Sequence, residues 1–250
     1  MKYSSVLLLL ILTAFALPEK KKIKIFMAGD STMAIKNPRA FPETGWGMPF
    51  VHLWDTSVTV INKAQNGAST RTFREDGLWQ SIEQQEEAGD YVFIQFGHND
   101  EVPTKKSYTT CEEFKNNLKR FVSETKSKNA IPILLTPVAR RKFDSTGSIE
   151  GTHEAYSQLL RHVAAEEKVM LIDLDKKSQA LYQQLGVEKS KLLFLHLQKD
   201  EHPNYPDGKE DNTHFSELGA RLVAQLVLNE IREKIPELAE RIVSPKHNDR

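Results

Sequence analysis

The chain has 250 residues, 39% of them hydrophobic, and 34 basic side chains balanced by 34 acidic ones. That length suits one large α/β domain with a full core, and with zero formal charge nothing suggests a nucleic-acid or anionic-membrane surface. Cys111 is the single cysteine, which excludes an intramolecular disulfide and leaves no cysteine after the leader for a lipid anchor.

Residues 1–16 read as a secretory signal peptide: Lys2 gives a positive start, residues 6–12 are uninterrupted aliphatics, and Ala14-Phe15-Ala16 offers small residues for a peptidase. The apolar run of residues 6–17 is short for a bilayer span; an uncleaved anchor is the alternative. Residues 17–250 are expected to form a single domain with no stable membrane association, exported to a periplasm or to the outside.

Ile23, Ile25, Phe26 and Met27 form a short buried-strand pattern that exits through Gly29. Asp30-Ser31-Thr32 then supplies capping residues for a following helix, so Ser31 stands at a strand-to-helix turn, as a helix cap or as something more. A loop follows with Trp46 between Gly45 and Gly47, then a helix over residues 48–55. Residues 58–64 read as the second strand, ending near Asn66-Gly67, and a helix is expected over 78–87. Residues 91–96 form the third strand, which runs into Gly97-His98-Asn99-Asp100.

Thr110 and Glu113 make a capping box for a helix through Phe114, Leu118, Phe121 and Val122, and Cys111 within it reads as a buried, inert thiol. Residues 131–136 are the fourth strand, Thr152 caps the next helix, and 169–173 are the fifth strand. A helix over 176–185 is expected to stop at Gly186. Residues 198–213 contain no convincing element, and 216–234 return to helical period. Strands alternating with helices imply a parallel sheet covered on both faces.

Four polar clusters fall just past strand ends or before the last helix: 29–31, 66–67, 97–100 and 211–214. Parallel strands bring their carboxyl ends to one edge, so the first three can share a pocket. A serine hydroxyl needs a base to take its proton; His214 suits that role if Asp211 orients its other ring nitrogen, although this spacing also suits metal ligands or a solvated loop. Gly67 is able to expose its backbone N–H and Asn99 offers an uncharged amide donor; a turn glycine and a helix cap are the bland counterparts.

Together, GDST at residues 29–32, the glycine at 67, GHND at 97–100 and DNTH at 211–214 resemble the four ordered blocks of the SGNH or GDSL-type serine hydrolases. The resemblance implies a flavodoxin-like three-layer α/β/α sandwich with a five-stranded parallel sheet. It also implies Ser31 as nucleophile, His214 as base, Asp211 as its orienting acid, and an oxyanion hole made by the Ser31 and Gly67 N–H groups and the Asn99 side chain. The branch that GDSTM, TGWG, FGHND and DNTHF resemble is that of the rhamnogalacturonan acetylesterases, which implies a secreted carbohydrate esterase that needs no metal or cofactor and takes acetylated poly- or oligosaccharides.

For substrate contacts the sequence offers Trp46 as a sugar-stacking surface or as packing under the Ser31 loop. His98 faces the pocket or structures its loop, and Arg71 and Arg74 meet uronates or lie solvated. His196, His202 and Asp207 allow a metal site that polar loop composition explains equally well. A lipolytic esterase or thioesterase is the alternative enzyme, and a glycan-binding protein without activity the alternative class.

Overall fold

The computed structural model describes residues 20–243; the expected signal peptide at 1–16 lies outside them. Five parallel strands form one sheet in the order β2-β1-β3-β4-β5, the flavodoxin-like order. The chain enters at β1 (Ile23–Gly29), makes one turn of helix, α1 (Gly47–Phe50), and returns as β2 (Val58–Asn62). Two short helices, α2 (Thr70–Glu75) and α3 (Leu78–Glu83), lead to β3 (Tyr91–Gln95). Then come α4 (Cys111–Ser127), β4 (Ile131–Leu135), α5 (Glu154–Glu166) and β5 (Met170–Ile172). Past the sheet lie α6 (Leu174–Lys189), β6 (Phe194–Leu197), β7 (Lys209–Phe215), α7 (Glu217–Lys234) and α8 (Pro236–Ala239).

The period-2 geometry of β1 makes three layers. Ile23, Ile25 and Met27 enter one apolar cluster, with Val223, Val227 and Ile231 of α7. Phe26 and Ala28 enter the opposite cluster, with Phe114, Leu118 and Phe121 of α4 and Leu160 of α5. A strand buried on both faces is apolar wherever both faces are covered, hence the run from Ile25 to Ala28, while Lys24 near the start reaches out to Gln85 and Glu87. Register then sets the active edge: Met27 pairs with Asn62 and Gly29 with Gln95, so the loops after β1, β2 and β3 leave the sheet side by side.

Several expectations are corrected. No helix follows Ser31: Met33 and Ala34 both donate to Asp30 O and close a turn only. The 48–55 helix is the single turn α1, and α2 precedes the expected 78–87 helix. His153, not Thr152, stands at the N-cap position of α5, without a side-chain capping bond; the Thr152 hydroxyl instead accepts from the Arg140 N–H. Cys111 sits in the first turn of α4 on its solvent side and is exposed. Gly186 breaks helical geometry (φ 72°, ψ 178°), yet helical turns resume to Lys189.

The largest correction concerns residues 198–213. Lys209–Phe215 form a strand, antiparallel to Phe194–Leu197. Polar side chains hid it, since burial reaches only Phe215 among its seven positions.

Candidate active site

The nucleophile candidate rests on a chain of buried hydrogen bonds. Trp46 Nε1 donates to Gln95 Oε1 (2.7 Å), Gln95 Nε2 to Thr32 Oγ1 (2.6 Å), and Thr32 Oγ1 to Asp30 Oδ1 (2.8 Å). The Thr32 N–H donates to the same Asp30 oxygen at 2.9 Å, an Asx turn that presents Ser31 at the rim. Gly45 lets the chain lie on this turn, because a Cβ there would stand 2.0 Å from Ala34 O.

Ser31 Oγ lies 3.0 Å from His214 Nε2, and His214 Nδ1 lies 2.9 Å from Asp211 Oδ2. The other Asp211 oxygen accepts from the N–H groups of Thr213 (2.7 Å) and His214 (2.9 Å). Burial alone would push the Asp211 carboxyl up; the hydrogen bonds and charge of His214 and the Thr213 N–H hold it well below the usual carboxylate range. Alternation along β7 turns Phe215 away from His214 into the core, where its ring meets Phe194 at 5.4 Å. Thr44 N–H donates to Phe215 O and Arg141 N–H to Asn212 O, docking the hairpin against the sheet edge.

Ser31 and His214, far apart in the sequence, thus meet in one pocket of about 370 Å³. Gly67 lines it at φ +78°, a backbone region that favours glycine, and a Cβ there would touch nothing within 4 Å. Among the described residues, no acceptor takes the N–H of Ser31 or of Gly67. Asn99 Nδ2 gives one hydrogen to Ala68 O (2.9 Å) and keeps its second, while its Oδ1 accepts from Lys105 Nζ at 2.8 Å. A hydroxyl paired with an oriented imidazole, beside unpaired donors, is equipped for nucleophilic acyl transfer.

Residues 27–222 match the GDSL-like Lipase/Acylhydrolase family. The chain belongs to this family. It is a carboxylic ester hydrolase of the GDSL type. Over 226 residues it is 46% identical to the rhamnogalacturonan acetylesterase RhgT of Bacillus subtilis (strain 168), covering 90% of this chain and 96% of that protein. It is 34% identical over 227 residues to YesY, a probable rhamnogalacturonan acetylesterase of the same organism, covering 89% and 98%. A catalytic mutant of an acetylxylan esterase from Geobacillus stearothermophilus shares the fold, with a TM-score of 0.59 at 21% identity over 84% of this chain and 94% of that one.

Other sequence candidates of this GDSL chain land differently. Trp46 is fully buried against Phe50, so it packs beneath the Ser31 turn and stacks on no sugar. Arg74 forks onto Glu124 (2.7 and 2.9 Å), packed over Phe121. Arg71 pairs with Glu75 and donates to the carbonyls of Lys106 and Tyr108. Neither arginine lines the pocket. Among the described residues no group of three or more His, Cys, Asp or Glu is placed to hold a metal.

His98 lines the pocket yet is only 3% exposed. Its Nδ1 lies 3.3 Å from Asp30 Oδ2, and its ring stands 4.2 Å from that of His153. Burial, with His153 adding to it, pulls the His98 imidazole down to about 4, so it is neutral near pH 7. Asp30, fully buried, is pushed up by burial, but His98 and the Thr32 donors outweigh this and leave it ionised.

Arg140, Thr213, Glu43 and Lys105 also line the pocket and went unread in the sequence. Arg140 had a usable signal, because it follows the carboxyl end of β4, one strand beyond the three considered. Its guanidinium donates to the Thr213 hydroxyl at 2.8 Å and ties that edge to β7.

Proposed function

We propose that the chain is an exported acetylesterase acting on an O-acetylated cell-wall polysaccharide, with rhamnogalacturonan as the favoured substrate. One observation carries the preference for a sugar ester over a lipid: apart from Gly67, every residue lining the Ser31 pocket has a polar side chain. A long acyl chain needs an apolar groove to leave water, whereas an acetyl group on a sugar meets hydroxyls that polar walls can bind. The name and 46% identity of the relative RhgT support the pectic substrate, and the leader pattern of residues 1–16 supports export.

In this reading His214 Nε2 takes the Ser31 proton as Oγ attacks the acetyl carbonyl, and Asp211 stabilises the imidazolium that forms. The tetrahedral oxyanion is received by the Ser31 and Gly67 N–H groups and the free Asn99 hydrogen. His214 then protonates the departing sugar oxygen, which leaves acetyl on Ser31. Water, deprotonated by the same imidazole, releases acetate and restores the hydroxyl. Each step is complete with protein groups and water.

The test is acetate release from a panel of acetylated plant polysaccharides. Release is expected to be greatest from acetylated rhamnogalacturonan, and Ser31→Ala is expected to abolish it with the fold intact. Full turnover by Ser31→Ala, or a strong preference for octanoyl over acetyl esters, overturns the proposal.

A further inference from the structure

The active pocket does not end at the Ser31 hydroxyl. A second hollow, also of about 370 Å³, adjoins it, and Asn66, Gly67, Asn99 and Lys105 line both. Two hollows sharing one wall suit neighbouring sugars of a chain better than one isolated ester.

The charges along this groove are unequal in their commitments. Glu43 is paired with Lys36 at 2.6 Å, Asp211 with His214 at 2.9 Å, and Arg140 has Glu101 at 3.6 Å. Lys105, at the junction of the two hollows, has no carboxylate within 4.0 Å among the described residues, and neither has Lys106 beyond it. Asp76 is the acidic side chain lining the second hollow; Gln65 Nε2 stands 3.5 Å from its Oδ2. The balance there is two lysines against one aspartate.

Lys105 is exposed but not free to wander. Its Nζ donates to Asn99 Oδ1 at 2.8 Å, which uses one of its three hydrogens. The loop that carries it is held from behind by Arg71, which donates to the carbonyls of Lys106 and Tyr108. Arg71, for which the sequence left uronate contact or solvation open, thus braces the loop of a lysine.

We infer that Lys105 binds a carboxylate of the substrate and is the residue that sets the groove's preference for acidic over neutral acetylated glycans. An ammonium suits this because it is a point charge that accepts a carboxylate over a range of angles. The inference rests on the polysaccharide-deacetylase reading above and adds the chemistry that distinguishes acidic from neutral chains.

The experiment compares acetylated rhamnogalacturonan oligosaccharides with the same preparation after its carboxylates have been reduced to alcohols, and 4-nitrophenyl acetate serves as the small ester. The native enzyme is expected to favour the acidic form by about fivefold in kcat/KM, the scale of one partly exposed ion pair, and the advantage shrinks with added salt. Lys105→Gln is expected to erase the preference mainly through KM, and Lys105→Arg to retain it. Equal native kcat/KM on both glycans overturns the inference. So does an equal loss on both with Lys105→Gln, which would leave Lys105 only its contact with Asn99. If neither glycan yields acetate while 4-nitrophenyl acetate is still hydrolysed, the polysaccharide reading itself falls and takes this one with it.

Discussion

Ser31, Gly67 and Asn99 stand on the carboxyl edge of a parallel sheet, whereas Asp211 and His214 stand on an antiparallel hairpin outside it. In the first group, Ser31 and Asn99 follow β1 and β3, which are buried on both faces, Gly67 follows the half-buried edge strand β2, and Trp46, Gln95 and Thr32 form the floor. The second group is half exposed, anchored at one end by Phe215 and tied down by hydrogen bonds from Thr44, Arg140 and Arg141. In the proposed mechanism, rigid packing presents the hydroxyl and the oxyanion donors, while a polar, solvated strand presents the base. That division suits the chemistry, because donors must be fixed before charge develops, whereas an imidazole that takes and returns a proton needs water nearby.

Mutations can break this comparison at either side. The largest effect is expected on the hairpin: Asp211→Asn should lower kcat by about 10⁴, since it removes the anion that orients and stabilises the His214 ring. A loss below tenfold in single-turnover assays would show that Asp211 does not support the base. On the sheet side, Asn99→Ala should cost about 10²–10³ in kcat, or ~3 kcal/mol in the transition state. Its KM for small esters should change little, and a defect confined to KM would remove Asn99 from the oxyanion hole.

The floor beneath Ser31 sharpens the contrast through stability. Trp46→Phe leaves Gln95 Oε1 buried without its donor and should lower unfolding stability by about 2 kcal/mol, read as a shift in urea midpoint at constant slope. KM for glycans should hold, because the indole meets no solvent. A rise in KM on glycans alone would return Trp46 to the substrate.

The smallest effect belongs to the far side of the same fold. Glu86 is 6% exposed, neither oxygen has a hydrogen-bond donor among the described residues, and burial with Glu83, Asp90 and Glu124 pushes its carboxyl from 4.5 up to about 7. A raised carboxyl makes the folded state hold its proton longer than the unfolded chain, so stability falls as pH rises from about 4.5 to about 7. Glu86→Gln should therefore stabilise by about 1–2 kcal/mol at pH 8, after allowance for solvent screening, and by nothing near pH 4. Equal gains at both pH values would assign the effect to something other than this charge.

By itself, the sequence determined the sheet and the order of its strands' ends. Runs such as IKIFM and YVFIQF announce burial on both faces, and burial of apolar surface is a local signal that needs no knowledge of partners. Ser31 and Asn99 were readable for the same reason, because each follows such a run, whereas Gly67 was read from the Asn66-Gly67 turn after the half-buried edge strand β2.

Only the tertiary structure decided the rest. The strand KEDNTHF exists through ladder bonds to β6 and one buried ring, so its polar residues carry no pattern that marks it as a strand. Trp46, Arg71, Arg74 and Lys105 have side chains long enough to reach any of several neighbours. Their duties were settled when the folded backbone placed Gln95, Glu75, Glu124 and Asn99 within a hydrogen bond's length. Contacts between residues distant in sequence, and the reach of long side chains, are properties of the assembled fold.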